Sequence, residues 1–215
     1  MMIKAIIFDF DGVIVDSEKK KFNDLQQILH NMNFNLKKTD FIEMMGKKTG
    51  AFLSLKFPEM NQAEIKKITE LRRERLFLNP NIKLIPGVKD LLEFIKLNKI
   101  KTTITTGSTK NLVKKVIEIK GIKNYFDIII AGEDFKETKP SPECYNLTLK
   151  KLNLNPSEVI IIEDSIAGVK ASKSANCRVF GLMTYLNKVE LRDADKVFAN
   201  HFEILDYFKK KEIIE

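Results

Sequence analysis

The sequence predicts an α/β protein, a parallel-sheet core interrupted early by an all-helical insertion. Three observations carry this. After Pro86, short apolar runs alternate with amphipathic stretches, the pattern of parallel strands joined by crossover helices. A similar apolar run, Lys4-Ala-Ile-Ile-Phe8, opens the chain. Between them, from Ser17 to about Leu78, apolar residues recur three to four apart and no strand pattern occurs.

Taken in order, Lys4–Phe8 reads as a buried strand because it is apolar, holds β-formers and ends in a polar Asp-Gly turn. The insertion reads as helical in segments such as 22–29 and 63–71, and Pro80 and Pro86-Gly87 end it. Beyond Pro86, helices are predicted over Val88–Leu97, Asn111–Ile119, Pro142–Leu152 and Ile166–Ser174. Strands are predicted over Thr102–Thr106, Phe126–Ala131, Val159–Ile162, Val179–Leu182 and Lys196–Phe198. This divides the chain into a core of residues 1–15 and 83–215 and a helical domain of residues 16–82. In such sheets ligands bind beyond the carboxyl ends of the strands.

Composition excludes several classes. With 44% hydrophobic residues the chain can bury a core and is too apolar for disorder. Its net charge of +8 is spread as lysines over the helices, with no basic run interleaved with aromatics, so nucleic acid is not an expected partner. Cys144 and Cys177 stand far apart without a CxxC, and His30 and His201 are lone, which disfavours disulfides, a zinc site or a histidine triad. Asp9 and Asp11 break the only N-terminal apolar run, so neither a signal peptide nor a membrane helix is expected. The expectation is a cytoplasmic monomer acting on a small anionic molecule.

Four motifs carry chemistry. Asp9 and Asp11 follow the first strand two residues apart, so one carboxylate can attack while the other works as acid and base. Thr106-Gly107-Ser108 offers hydroxyls and an amide at a helix start, suited to a phosphate. Lys139, before Pro140, can neutralise a phosphoryl oxygen. Glu163-Asp164 end the apolar run from Val159, and two acids there suit a hard cation such as magnesium. Singly these read as a turn, an N-cap, a surface lysine and a helix-start acidic pair. Together they converge on one edge of one sheet.

These motifs are similar to those of the haloacid dehalogenase superfamily, in the branch with a helical cap that includes β-phosphoglucomutase and phosphoglycolate phosphatase. The run from Asp9 to Glu18, Thr106, Lys139 in Lys-Pro-Ser-Pro-Glu, and the run from Glu163 to Gly168 carry the resemblance, which covers essentially the whole chain. It implies a Rossmann-like core with an inserted α-helical cap, and a magnesium-dependent phosphatase of a small phosphorylated metabolite such as a sugar phosphate. Asp9 would form an aspartyl-phosphate. Asp11 would move the protons. Asp9, Asp164 and the Asp11 carbonyl would ligate Mg2+ with help from Glu163. Thr106, Gly107, Ser108 and Lys139 would hold the phosphoryl oxygens.

Within the branch, Gly46-Lys47-Lys48 resembles the cap loop that meets substrate, and reads equally as a helix C-cap glycine with solvated lysines. The alternative activity is phosphoryl transfer between sugar positions, as in β-phosphoglucomutase. In that subgroup a histidine follows the hinge, and here Lys21 stands in its place. An ordinary charged lysine is a poor general base, so hydrolysis is the expected activity.

Overall fold

A computed structural model describes residues 2–44, 49–78 and 82–211. The predicted loop Gly46, Lys47 and Lys48 lies outside the described residues. Strand β1 (Ala5–Phe8) leads through a turn into the two-residue β2 (Val15–Asp16). Helices α1 (Glu18–His30), α2 (Phe41–Met44), α3 (Thr49–Lys56) and α4 (Gln62–Leu78) follow. The short β3 (Lys83–Leu84) pairs with β2, and α5 (Val88–Leu97) and β4 (Lys101–Thr105) come next. The rest runs α6 (Lys110–Ile119), β5 (Ile128–Ile130), α7 (Glu143–Leu152), β6 (Val159–Glu163), α8 (Ile166–Ser174), β7 (Arg178–Leu182), β8 (Lys196–Phe198) and α9 (His201–Lys211).

Six strands form one sheet in the order β5-β4-β1-β6-β7-β8, and each neighbouring pair is parallel. Every residue of β1 and β6 is buried, which is why both read as unbroken apolar runs rather than alternating ones. Register aligns the functional ends. Phe8 pairs with Ile104 on one side and Ile162 on the other, so β1, β4 and β6 finish level. The α/β architecture is therefore the expected Rossmann-like one.

The chain clusters into two compact units, Met1–Val15 with Lys83–Glu215, and Asp16–Ile82. The second has a core of its own. Phe22, Leu25 and Leu29 of α1 recur at helical spacing and are buried with Phe52, Leu53, Ile65 and Ile68 of α3 and α4. Among the described residues, no helix is long and apolar enough to cross a membrane.

Three boundaries differ from the sequence pattern. β4 stops at Thr105, one residue before Thr106. β5 holds only Ile128–Ile130; just before it, the Asp127 amide donates to the Thr102 carbonyl and its carboxylate accepts from the Thr102 amide. Lys139 belongs to the long loop after β5, nine residues beyond its end, rather than to a strand terminus.

Candidate active site

Asp9 follows β1 directly, and its amide donates to the Ile162 carbonyl at 3.0 Å, continuing the sheet ladder by one residue. Its carboxylate is buried among like charges. Burial pushes its pKa up to about 7; Lys139 opposes that rise, and Glu163 and Asp11 add to it. Lys139 Nζ donates to Asp9 Oδ1 at 2.5 Å and to Glu163 Oε1 at 2.6 Å. Burial works against the lysine charge, but the two carboxylates outweigh it and hold the ammonium well above its ordinary range.

Glu163 is fully buried and well supplied with donors. Tyr145 Oη donates to its Oε1 at 2.5 Å, and Ser165 Oγ donates to Oε2 at 3.1 Å. The tyrosine ring also lies under the Lys139 ammonium, 5.0 Å from centroid to Nζ. Two glycines make room for the acids. A Cβ on Gly168 would fall 1.9 Å from the Glu163 carboxylate, and a Cβ on Gly12 would fall 1.9 Å from Asp164 Oδ2. Gly12 also takes φ +81°, the left-handed region in which other residues are strained.

Asp9, Glu163 and Asp164 bring carboxylate oxygens within 4.8 Å of one another. The donor set is carboxylate oxygen alone, with no thiolate or imidazole, and it fits a hard divalent cation. The burial that pushes the Asp9 pKa up makes a neutralising partner there favourable.

On the other side, Ser108 Oγ donates to Asp11 Oδ2 at 2.6 Å and orients that carboxylate. Thr106 Oγ1 accepts from the Ser108 amide at 3.0 Å, closing a turn before α6. Gly132 packs on this turn: its amide donates to the Ser108 carbonyl at 2.9 Å, and a Cβ there would fall 2.5 Å from the Gly107 carbonyl. The fold thus gathers Asp9, Asp11, Thr106, Gly107, Ser108, Lys139, Glu163 and Asp164 at the carboxyl ends of β1, β4 and β6.

The family profile of haloacid dehalogenase-like hydrolases matches residues 6–182, a span that contains every one of these residues. The chain belongs to that family. As a member of it, the chain is a hydrolase. It is 30% identical over 97% of its length to the phosphorylated carbohydrates phosphatase of Thermotoga maritima, covering 99% of that protein. It is 28% identical to the phosphoglycolate phosphatase of Aquifex aeolicus over 82% of its own length and 83% of that protein's. In three dimensions it is similar to the crystal structure of β-phosphoglucomutase from Clostridium difficile. The TM-score is 0.83 at 28% identity, over 98% of this chain and 97% of that one.

Sequence reasoning missed three side chains of the hydrolase. Tyr145 lies five residues past Pro140, and nothing in the pattern says that its hydroxyl turns to Glu163. Thr184 and His201 gave no motif either, yet Thr184 Oγ1 donates to the Gly12 carbonyl at 2.6 Å and His201 Nε2 lies 2.7 Å from the Val13 carbonyl. Cys144 and Cys177 are free and buried, and burial pushes both thiols up to about 11, so neither is poised as a nucleophile.

His201 gives a stability prediction. It is fully buried, and burial lowers its pKa from 6.5 to about 4. The unfolded chain takes up a proton as pH falls through 6.5, while the folded one resists until about 4. Stability is therefore intact above pH 6.5 and is lost between 6.5 and 4. The unfolding free energy from urea titration should fall with acid by roughly 3 kcal/mol more in the natural protein than in His201→Gln. Parallel pH profiles for the two proteins would rule this out.

Proposed function

We propose that the chain hydrolyses the phosphoester of a small phosphorylated metabolite, a sugar phosphate or similar, through an aspartyl-phosphate on Asp9. The observation that carries this is the placement of Asp9 at the end of β1, held by the Lys139 ammonium and within reach of the Asp11 loop. An Asp9 oxygen attacks phosphorus while Asp11 gives its proton to the departing alkoxide. Asp11, now a carboxylate, takes a proton from water as that water attacks the phosphorylated Asp9. Inorganic phosphate leaves and both aspartates return to their starting forms. Lys139, Thr106, the Gly107 amide and Ser108 are the groups that would offset charge on the phosphoryl oxygens.

Mg2+ is the cation that this donor set suits, with Asp9, Asp164 and the Asp11 carbonyl as ligands and Glu163 beside them. When bound, it would neutralise the acids and the incoming phosphate together. Glu163 fits a supporting role, because Lys139, Tyr145 and Ser165 already occupy its oxygens. The helical unit is read as a cap that excludes water and meets the substrate, with Gly46, Lys47 and Lys48 as its contact loop.

Hydrolysis is preferred over phosphoryl transfer to a sugar on the state of Lys21. Its Nζ donates to Glu18 at 2.8 Å, and both side chains are largely buried. A group committed as a donor to a carboxylate cannot serve as the base that activates a sugar hydroxyl. Two relatives named as phosphatases support the same choice.

The test is phosphate release across a panel of phosphomonoesters, with Mg2+, with chelator, and with Mg2+ restored. Release should need the metal and return with it; undiminished release from metal-stripped protein would overturn the metal assignment. The panel includes β-glucose 1-phosphate with and without glucose 1,6-bisphosphate. Free phosphate should exceed glucose 6-phosphate, and primed conversion with little phosphate freed would promote the mutase.

A further inference from the structure

The loop that carries Asp11 is held from outside in an unusual way. Three successive carbonyls, those of Gly12, Val13 and Ile14, each accept a hydrogen bond from a different distant segment. Thr184 Oγ1, just past β7, donates to Gly12 at 2.6 Å. His201 Nε2, at the start of α9, meets Val13 at 2.7 Å. The Ile85 amide, before α5, donates to Ile14 at 2.9 Å. Inside the loop, the Ile14 and Val15 amides both donate to the Phe10 carbonyl, and the Gly12 amide donates to Val15.

The histidine contact fixes a tautomer. A carbonyl can only accept, so Nε2 carries the proton and Nδ1 is a bare lone pair. Nδ1 is buried and has no hydrogen-bond partner among the described residues. A buried acceptor without a donor is a cost that packing alone does not require, since leucine would fill the same apolar site. The ring also lies against Phe8 at the end of β1, with centroids 6.4 Å apart, and its Cβ is 3.2 Å from the position a Cβ on Gly87 would take. His201 therefore bridges β1, the Asp11 loop and the segment entering α5.

We infer that Thr184 and His201 are positioning residues, which hold the backbone of the Asp11 loop so that Asp11 keeps its place relative to Asp9 during turnover. This rests on the reading of Asp9 and Asp11 given above. Among the described residues, the side-chain hydrogen bonds of both run to backbone carbonyls, one and two residues past Asp11. Small misplacement of a proton-transfer group slows chemistry far more than binding, so the deficit belongs in kcat and not in KM.

The experiment measures kcat and KM with Mg2+ on p-nitrophenyl phosphate and on the best metabolite of the panel, well below each variant's melting temperature. Thr184→Val and His201→Leu should each lose about tenfold in kcat, with KM within about twofold of the natural protein. His201→Gln, whose amide nitrogen can replace Nε2 as donor, should recover most of the loss. Natural kcat in Thr184→Val and His201→Leu would overturn the inference. So would a loss confined to KM, or His201→Gln being as slow as His201→Leu. If His201→Leu does not fold, Thr184→Val and His201→Gln decide by the same criteria. Asp9→Asn is run in parallel. If it is inert while the anchor variants match the natural protein, the anchoring alone fails. If it is active, the reading of Asp9 fails and the anchoring with it.

Discussion

Asp9→Asn should abolish phosphate release while leaving the protein at least as stable in the absence of metal. Removing a covalent nucleophile typically costs on the order of 10⁵–10⁶ in turnover. The stability half follows from the electrostatics. The Asp9 carboxyl is buried beside Glu163 and Asp11, and its pKa is pushed up to about 7, so its charge is a burden to the metal-free fold. Asparagine keeps the shape and an acceptor for Lys139, which still has Glu163 at 2.6 Å. The measurement pairs turnover with thermal melting in chelator. Turnover near that of the natural protein would end the covalent mechanism. A large loss of melting temperature would mean that the Asp9–Lys139 pair is structural first.

Asp11→Asn should slow steady-state turnover by ~10²–10⁴, the usual worth of a positioned acid and base. The substitution keeps the backbone carbonyl and an oxygen able to accept from Ser108. With p-nitrophenyl phosphate the two half-reactions separate. Nitrophenolate leaves without needing a proton, so phosphorylation of Asp9 should stay fast, while hydrolysis, which needs a base, becomes slow. A burst of nitrophenolate equal to the enzyme concentration, with phosphoenzyme trapped by acid quench, is the expected result. No burst, together with loss of metal affinity, would mean that the side chain serves the metal rather than the proton.

Much of this was readable because the sheet is parallel and buried. Ala5–Phe8 and Val159–Glu163 carry no polar alternation, and their apolar runs stop where the acids begin. Helices α5 and α8 run over Val88–Leu97 and Ile166–Ser174 as their amphipathic spacing requires. α9 has a comparable signal in Ile204, Leu205 and Phe208, all buried on one face, although the elements expected from sequence end at Lys196–Phe198. β2 and β3 have two residues each, too few for any period to register. Most opaque were the contacts of Tyr145, Thr184 and His201. Each joins a site element to a residue with no motif of its own, over 18 to 188 positions in sequence. Propensity and periodicity carry no information at that range.

The central position of β1 also orders events in time. Its hydrogen-bonding partners are β4 and β6, which the ribosome makes roughly a hundred and more residues later. The histidine that meets its loop comes later still, at position 201. At synthesis rates of ~5–20 residues per second, the strand before Asp9 waits roughly 5–30 seconds as an unpaired apolar segment. The helical unit meanwhile holds its own buried cluster and needs no strand to form it. Folding during translation would therefore run from the middle of the chain outward, and Asp9, Glu163 and Asp164 would come together only after β6 has emerged. A nascent chain that stops short of β6 would carry Asp9 without its acidic neighbours.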